Sequence, residues 1–381
     1  MSYKRLFSRS LAAARGRLHF AAHSHHLWPD ASYEGQLAAW DDAARLADYK
    51  WDRVMGEVWP EAQANIAAEL RLPSPDSIVF ASNTHELLVR VVSAMGTDRP
   101  RVLSSDGEFH SFRRQSERWA EAGAITLETV AADHSAFADR LLVRARSGDF
   151  DLIVVSHVMF GSGRVFDRIA ELAALARPEG PWVVVDGYHA FMAIEVDLSQ
   201  VADRIFYLAG GYKYAMAGEG VCFLHAPPGF GVRPLNTGWF AAFEDLTLKP
   251  GEVGYAKDAR RFAGATFDPS GLYRFNAVQS MLKQEGLTTA HVNAHVDPLL
   301  MSLAAELDDT RLGAARLLNP ATAQPRARFL ALESPRARAW QDAFAAADVI
   351  TDLRGDVLRL GLGLYHDEAD ISRVAEIAAG F

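Results

Sequence analysis

Residues 182–190 read WVVVDGYHA, and residues 204–225 read RIFYLAGGYKYAMAGEGVCFLH. Four apolar residues running into an acid predict a strand buried on both faces, with Asp186 at its C-terminal end. RIFYLAG at 204–210 and GVCFLH at 220–225 read as two more strands, joined by a glycine-rich connection that carries Lys213. Upstream, SIVFA at 77–81, RVLSS at 101–105, AITLETV at 124–130 and LIVVSH at 152–157 are further short apolar runs. Helical patterns lie between them, such as THELLVRVVSAM at 84–95 and FDRIAELAALARP at 166–178. Strand–helix–strand alternation predicts an α/β fold: three layers, with a mostly parallel sheet flanked by helices.

Both ends of the chain read differently. Residues 31–70 and 275–310 carry helical patterns. After Pro325 come RFLALES, a helix near 336–347, VLRLGLGLY at 357–365 and a last helix, EADISRVAEIAAG. That part predicts a small α+β unit. The expected division is a large α/β domain over 60–275 and a small domain built from 1–59 plus 276–381. The first twenty residues are basic and amphipathic, and read as a surface helix entering the fold rather than a transit peptide.

Composition narrows the class. The chain has 381 residues, 49% hydrophobic and 23% charged, with a net charge of −9. A chain this apolar offsets its ordering entropy, so disorder is not its main state. The acidic balance argues against nucleic acid held by bulk charge. A single cysteine, Cys222, rules out a disulfide scaffold or a multi-cysteine metal site. No apolar run approaches the ~20 residues a membrane helix needs. A soluble cytoplasmic protein with no nucleic-acid or membrane partner is the expectation.

Three features carry chemistry. Lys213 is either a solvated loop lysine or an amine activated by desolvation, a Schiff-base nucleophile. Asp186 sits where parallel sheets place ligands, either as a structural cap or ion pair or as the partner of a protonated ring nitrogen. His189, three residues on, is either a core histidine or faces the same cavity. In SIVFASNTHELLVR at 77–90 a strand runs through Ser-Asn-Thr into a helix, with Asn83, Thr84 and His85 at the turn. Asn83 or Thr84 caps that helix, and its N-terminus either is an ordinary cap or receives a phosphate. A phosphate cradle, an acid on a strand end and a lysine together meet the requirement of pyridoxal 5′-phosphate.

On these segments the sequence resembles the fold-type I pyridoxal-phosphate enzymes, within them the class V aminotransferase group, and most of all kynureninase. Asp186 and His189 match an Asp-x-x-His pattern, and Phe109 in GEFHSF stands where a residue stacks on the cofactor ring. The resemblance further implies Ser162 near the cofactor, Tyr212 on the phosphate and Trp239 walling the pocket. Thr266 would reach the phosphate of a neighbouring subunit, which implies a homodimer with shared sites. Arg359 would clamp the carboxylate of an amino-acid substrate.

The sequence also departs from kynureninase around the substrate. HFAAHSHHLWP at 19–29, Phe240, Ala241, Ala242 and His366 replace its usual residues. His25 and His26 then belong to an arm lining the site mouth, touching substrate, and no metal is expected. Cys222 lies within a strand, which argues against a desulfurase nucleophile. The leading expectation is a kynureninase-like hydrolase cleaving Cβ–Cγ, with Lys213, Asp186 and His189 as its catalytic residues. The alternatives are a class V aminotransferase, a Cβ-lyase on another amino acid, or a non-catalytic cofactor-binding protein.

Overall fold

The computed structural model describes residues 2–133, 135–243, 249, 251–320 and 322–381. The seven predicted apolar runs form one seven-stranded sheet. Its order across the sheet is Ile78–Ala81, Cys222–His225, Ile205–Gly210, Trp182–Asp186, Leu152–Ser156, Arg101–Ser105 and Thr126–Val130. Five neighbours from Ile205–Gly210 to Thr126–Val130 run parallel. Cys222–His225 alone is antiparallel, to both its neighbours. The three central parallel strands are buried almost throughout, as continuous Val, Ile and Leu runs require. Thr126–Val130 sits at the edge and stays partly exposed, consistent with its alternating polar residues.

Helices cover both faces. Thr84–Ser93 buries Leu87, Leu88 and Val91, spaced for one helical face. The pattern at 166–178 yields a helix only over Ile169–Ala173. The following residues turn through short-range bonds (Leu175 N–H to Leu172 O, Ala176 N–H to Ala173 O), and Pro178 lacks the N–H another helical turn needs.

A second sheet is built near the C-terminus. It is antiparallel, in the order Asp352–Arg354, Val357–Gly361, Phe329–Glu333 and Arg316–Leu317. The N-terminal segment joins it: Leu18–His19 pairs parallel with Val349–Ile350, and Ala21 bridges to Gly361. The helix Asp30–Leu46 packs on Ser270–Gln284 with Gly35 at the crossing. A Cβ at Gly35 would lie 2.7 Å from the Tyr273 carbonyl, so only glycine lets the two helices approach this closely. Among the described residues, no helix is long and apolar enough to cross a membrane.

Candidate active site

The parallel strands deliver their C-terminal ends to one cavity of about 920 Å³. Asp186 is the last residue of its strand, and its Oδ1 accepts the Tyr188 backbone N–H at 2.9 Å, which holds the carboxylate in place. Gly187 follows because a Cβ there would run into the Tyr207 ring. Burial pushes the Asp186 carboxyl up from its usual range, while the Tyr188 N–H and Lys213 oppose that shift.

Lys213 is 3% exposed, so it is not a solvated loop lysine. Its Nζ lies 2.9 Å from His189 Nε2 and 4.7 Å from the centre of the Tyr188 ring. Burial lowers its ammonium to about 7, Asp186 opposes this, and Arg359 adds to it. The amine is therefore available in its neutral form near pH 7. Burial, then Lys213 and Arg359, hold the His189 imidazole well below its usual value, so it is neutral.

At the opposite wall, the Asn83 side chain accepts the Glu86 N–H at 2.9 Å and caps Thr84–Ser93. Of the two candidate caps it is Asn83 that serves, which leaves Thr84 as the first helical residue, lining the cavity beside Asn83 and His85. The positive end of the helix is thus presented to the cavity. Phe109 caps the next helix, His110–Glu121, and packs edge-on against Phe160 with its ring 5.5 Å from Lys213 Nζ. Tyr212 stacks on His25 at 4.8 Å, and burial raises its phenol to about 12.

These parts fit pyridoxal phosphate. Asp186 can meet the ring nitrogen, Phe109 one ring face, the helix N-terminus the phosphate, and Lys213 the aldehyde carbon. His85 Nδ1, buried without a protein partner, is a further polar atom on the phosphate side.

Other predicted residues lie elsewhere. Ser162 is not on the cavity wall; its Oγ accepts the Arg164 N–H at 3.3 Å. Trp239 is 46% exposed, and its Nε1 donates to Thr266 Oγ1 at 3.3 Å. Thr266 lines a separate 170 Å³ cavity that shares Ser82 with the main one. His26 is buried against Tyr214 and Arg328 in a third, small cavity, whereas His25 is exposed. Arg359 is 1% exposed and already engaged: Nε donates to Asp352 Oδ2 at 2.7 Å, Nη2 donates to the same oxygen, and Nη1 donates to the Phe160 carbonyl. Within this protein the guanidinium grips an internal carboxylate.

Sequence reading missed Glu108, Tyr188 and Asp352. Glu108 is the second acid of the Asp106–Phe109 turn between the strand Arg101–Ser105 and the helix His110–Glu121, and nothing local in the sequence distinguishes it from the exposed Asp106. Asp352 shows no local signal, because it meets Arg359 only across a hairpin. Cys222 lines the cavity floor, with its Sγ 3.5 Å from the Tyr188 hydroxyl and its thiol pushed up to about 11 by burial. Among the described residues, no group of three His, Cys, Asp or Glu is arranged to hold a metal ion.

Comparison with known proteins agrees with this geometry. The aminotransferase class-V family model matches residues 49–374. Isopenicillin N epimerase of Streptomyces clavuligerus is 25% identical over 366 residues, covering 88% of this chain and 87% of that protein. A cysteine desulfurase of Salmonella typhimurium is 28% identical over 232 residues, 56% of this chain and 53% of its own. The chain thus matches about half the length of that relative. Among solved structures, the cystine C–S lyase C-DES, in complex with cysteine persulfide, superposes with a TM-score of 0.81 at 18% identity, covering 97% of this chain and 99% of its own. An apo cysteine desulfurase from Thermococcus onnurineus gives 0.80 at 16% identity, covering 100% and 99%.

Proposed function

We propose, on the premise that the chain belongs to the aminotransferase class-V family, that this pyridoxal-phosphate enzyme removes the α-proton of an amino acid and expels a substituent from Cβ. The observation that carries the reading is Lys213: a buried amine with its proton affinity near neutrality, facing a cavity large enough for cofactor and substrate. Bound pyridoxal phosphate supplies an electron sink for the carbanion formed at Cα. Lys213 Nζ takes the α-proton, and a group tuned to the working pH does this most effectively. Asp186 would hold the ring nitrogen of the bound cofactor in its protonated form, and the neutral His189 orients the Lys213 amine through their 2.9 Å contact. Phe109 shields one ring face from water.

The Cβ branch is favoured by two considerations. C-DES is a C–S lyase of the same fold, and such a lyase needs no thiol of its own. Cys222, the only cysteine, is buried on a strand with a thiol that stays protonated, so it is a poor acceptor of sulfur. Kynureninase-like cleavage of Cβ–Cγ is the second reading, resting on Phe109 and His189 in the positions the resemblance assigns them. None of the relatives above is a kynureninase.

The test is α-proton exchange in D₂O, followed by NMR, over a panel including cystine, cysteine and kynurenine. Exchange with at least one amino acid is expected, with pyruvate and ammonia from a sulfur amino acid. Anthranilate and alanine from kynurenine would overturn the Cβ-elimination branch in favour of the second reading. No exchange with any member would overturn the catalytic reading itself.

We further propose a cytoplasmic homodimer in which Trp239 and Thr266 of each subunit complete the other's site. The exposure of Trp239 and the absence of both residues from the lining of Lys213's cavity support it. The separation of the seven-stranded sheet from the four-stranded sheet near the C-terminus likewise supports a large and a small domain, although residues 60 and 275 each fall within a helix, Trp59–Leu70 and Ser270–Gln284.

A further inference from the structure

Glu108 is 1% exposed and lies between the strand Arg101–Ser105 and the helix His110–Glu121. The Ser105 hydroxyl donates to its Oε1 at 2.6 Å. The Ser156 hydroxyl donates to its Oε2. Ser156 is in turn the cross-strand neighbour of Asp186 in the parallel register. Glu108 and Asp186 line one small cavity together with Thr84, His85 and Phe109. The two serine hydroxyls donate toward the carboxyl oxygens, which favours the anionic form against the burial that disfavours it.

We propose that Glu108 is a positioning residue for the cofactor: a second buried carboxylate that braces the strand ends behind Asp186 and deepens the negative potential at the ring nitrogen. The inference rests on the reading of Asp186 as the partner of that nitrogen. Two buried carboxyls lining one small cavity disfavour each other's charge unless a proton donor sits against one of them. The protonated ring nitrogen is such a donor, so the pair makes a deprotonated ring costly. Burial pushes Glu108 up to about 7, the serine hydroxyls oppose this, and Asp186 adds to it. The titratable groups facing it from neighbouring elements are Asp186 and, from the helix Thr84–Ser93, His85, with Lys213 beyond Asp186.

The test uses full-length protein reconstituted with pyridoxal phosphate, reading the cofactor's dissociation constant and the pH midpoint of its visible band. Glu108→Gln keeps the size and the hydrogen-bond acceptor but removes the charge. It is expected to weaken cofactor binding about tenfold and to lower the midpoint by about one pH unit. Glu108→Asp keeps the charge and should hold the midpoint near that of the unaltered protein. Wild-type affinity and midpoint in Glu108→Gln overturn the proposal. So does a matching loss in Glu108→Asp, which would mark a packing effect. Should Glu108→Gln fail to fold, Ser105→Ala removes one donor to the carboxylate and must lower the midpoint in the same sense; an unmoved midpoint overturns the proposal. Asp186→Asn separates the two readings. If it leaves the band unchanged, the Asp186 assignment fails. If it moves the band while Glu108→Gln does not, only the Glu108 inference fails.

Discussion

Lys213 shows how burial turns an ordinary side chain into a reagent. A lysine in a glycine-rich loop is ordinarily a solvated amine, and nothing in the letters GGYKYAMAGEG excludes that. What excludes it is enclosure by Tyr188, Phe109 and Tyr212. The same burial has a thermodynamic consequence in the cofactor-free protein. Folded Lys213 releases its proton at about 7, because burial outweighs Asp186. An unfolded lysine holds its proton to about 10.4. Between those values the unfolded chain binds a proton that the folded one lacks, so stability rises with pH; below about 7 both are protonated and this contribution is flat. Lys213→Met should flatten the rise, as measured by urea midpoints across that window, and should also remove the cofactor's visible band. Identical pH slopes in the two proteins would contradict the burial argument. Arg359 teaches the opposite lesson. The resemblance singles it out as a clamp, and the folded chain gives it Asp352 and the Phe160 carbonyl as partners.

The elements were legible to the extent that burial is continuous along them. WVVVD, LIVVS and IFYLAG have no polar alternation, and each is a strand. The helix predicted at 166–178 shrank to Ile169–Ala173 because the chain turns through short-range bonds beyond Ala173 and reaches Pro178, which lacks the N–H of a further turn. The turn at 82–84 was ambiguous as to its cap, since Asn and Thr cap comparably well; backbone geometry chose Asn83. Its removal should be felt twice. Asn83→Ala is expected to cost about 1 kcal/mol of stability in the cofactor-free protein. If the phosphate docks at this helix end, as proposed, the change should also weaken pyridoxal phosphate binding, because the first turn of Thr84–Ser93 frays there. Thermal melts with and without cofactor check this: an equal loss in both would mean the helix end has no part in binding.

The whole molecule places its chemistry at the junction of the large sheet with structure drawn from both ends of the chain. His23, fully buried, stacks on Phe329, whose ring His189 also approaches at 6.0 Å. The N-terminal arm therefore supports the site from behind rather than presenting all its histidines to substrate; only His25 reaches the surface beside Tyr212. Thr266 lines a different cavity of the same chain, and Trp239 is tied to it through the Nε1–Oγ1 hydrogen bond. If they serve a neighbouring subunit, two inactive variants should repair each other. Mixing Lys213→Ala with Thr266→Ala under conditions that exchange subunits is expected to restore activity, since one site of each hybrid would be intact. No recovery, with exchange verified by mass, would place each site within a single chain.

Local composition was enough for the strands, the acid at the end of one, the lysine in its glycine-rich connection and hence the cofactor. Those features are encoded by short runs, in which hydrophobic continuity, a charge and chain flexibility are all readable within a few residues. The partners of Arg359, the burial of Glu108 behind Asp186 and the distance of Ser162 from the cavity came only from tertiary structure. Each depends on side chains brought together across strands or across the length of the chain, where the energy of a contact is set by what surrounds it rather than by what precedes it.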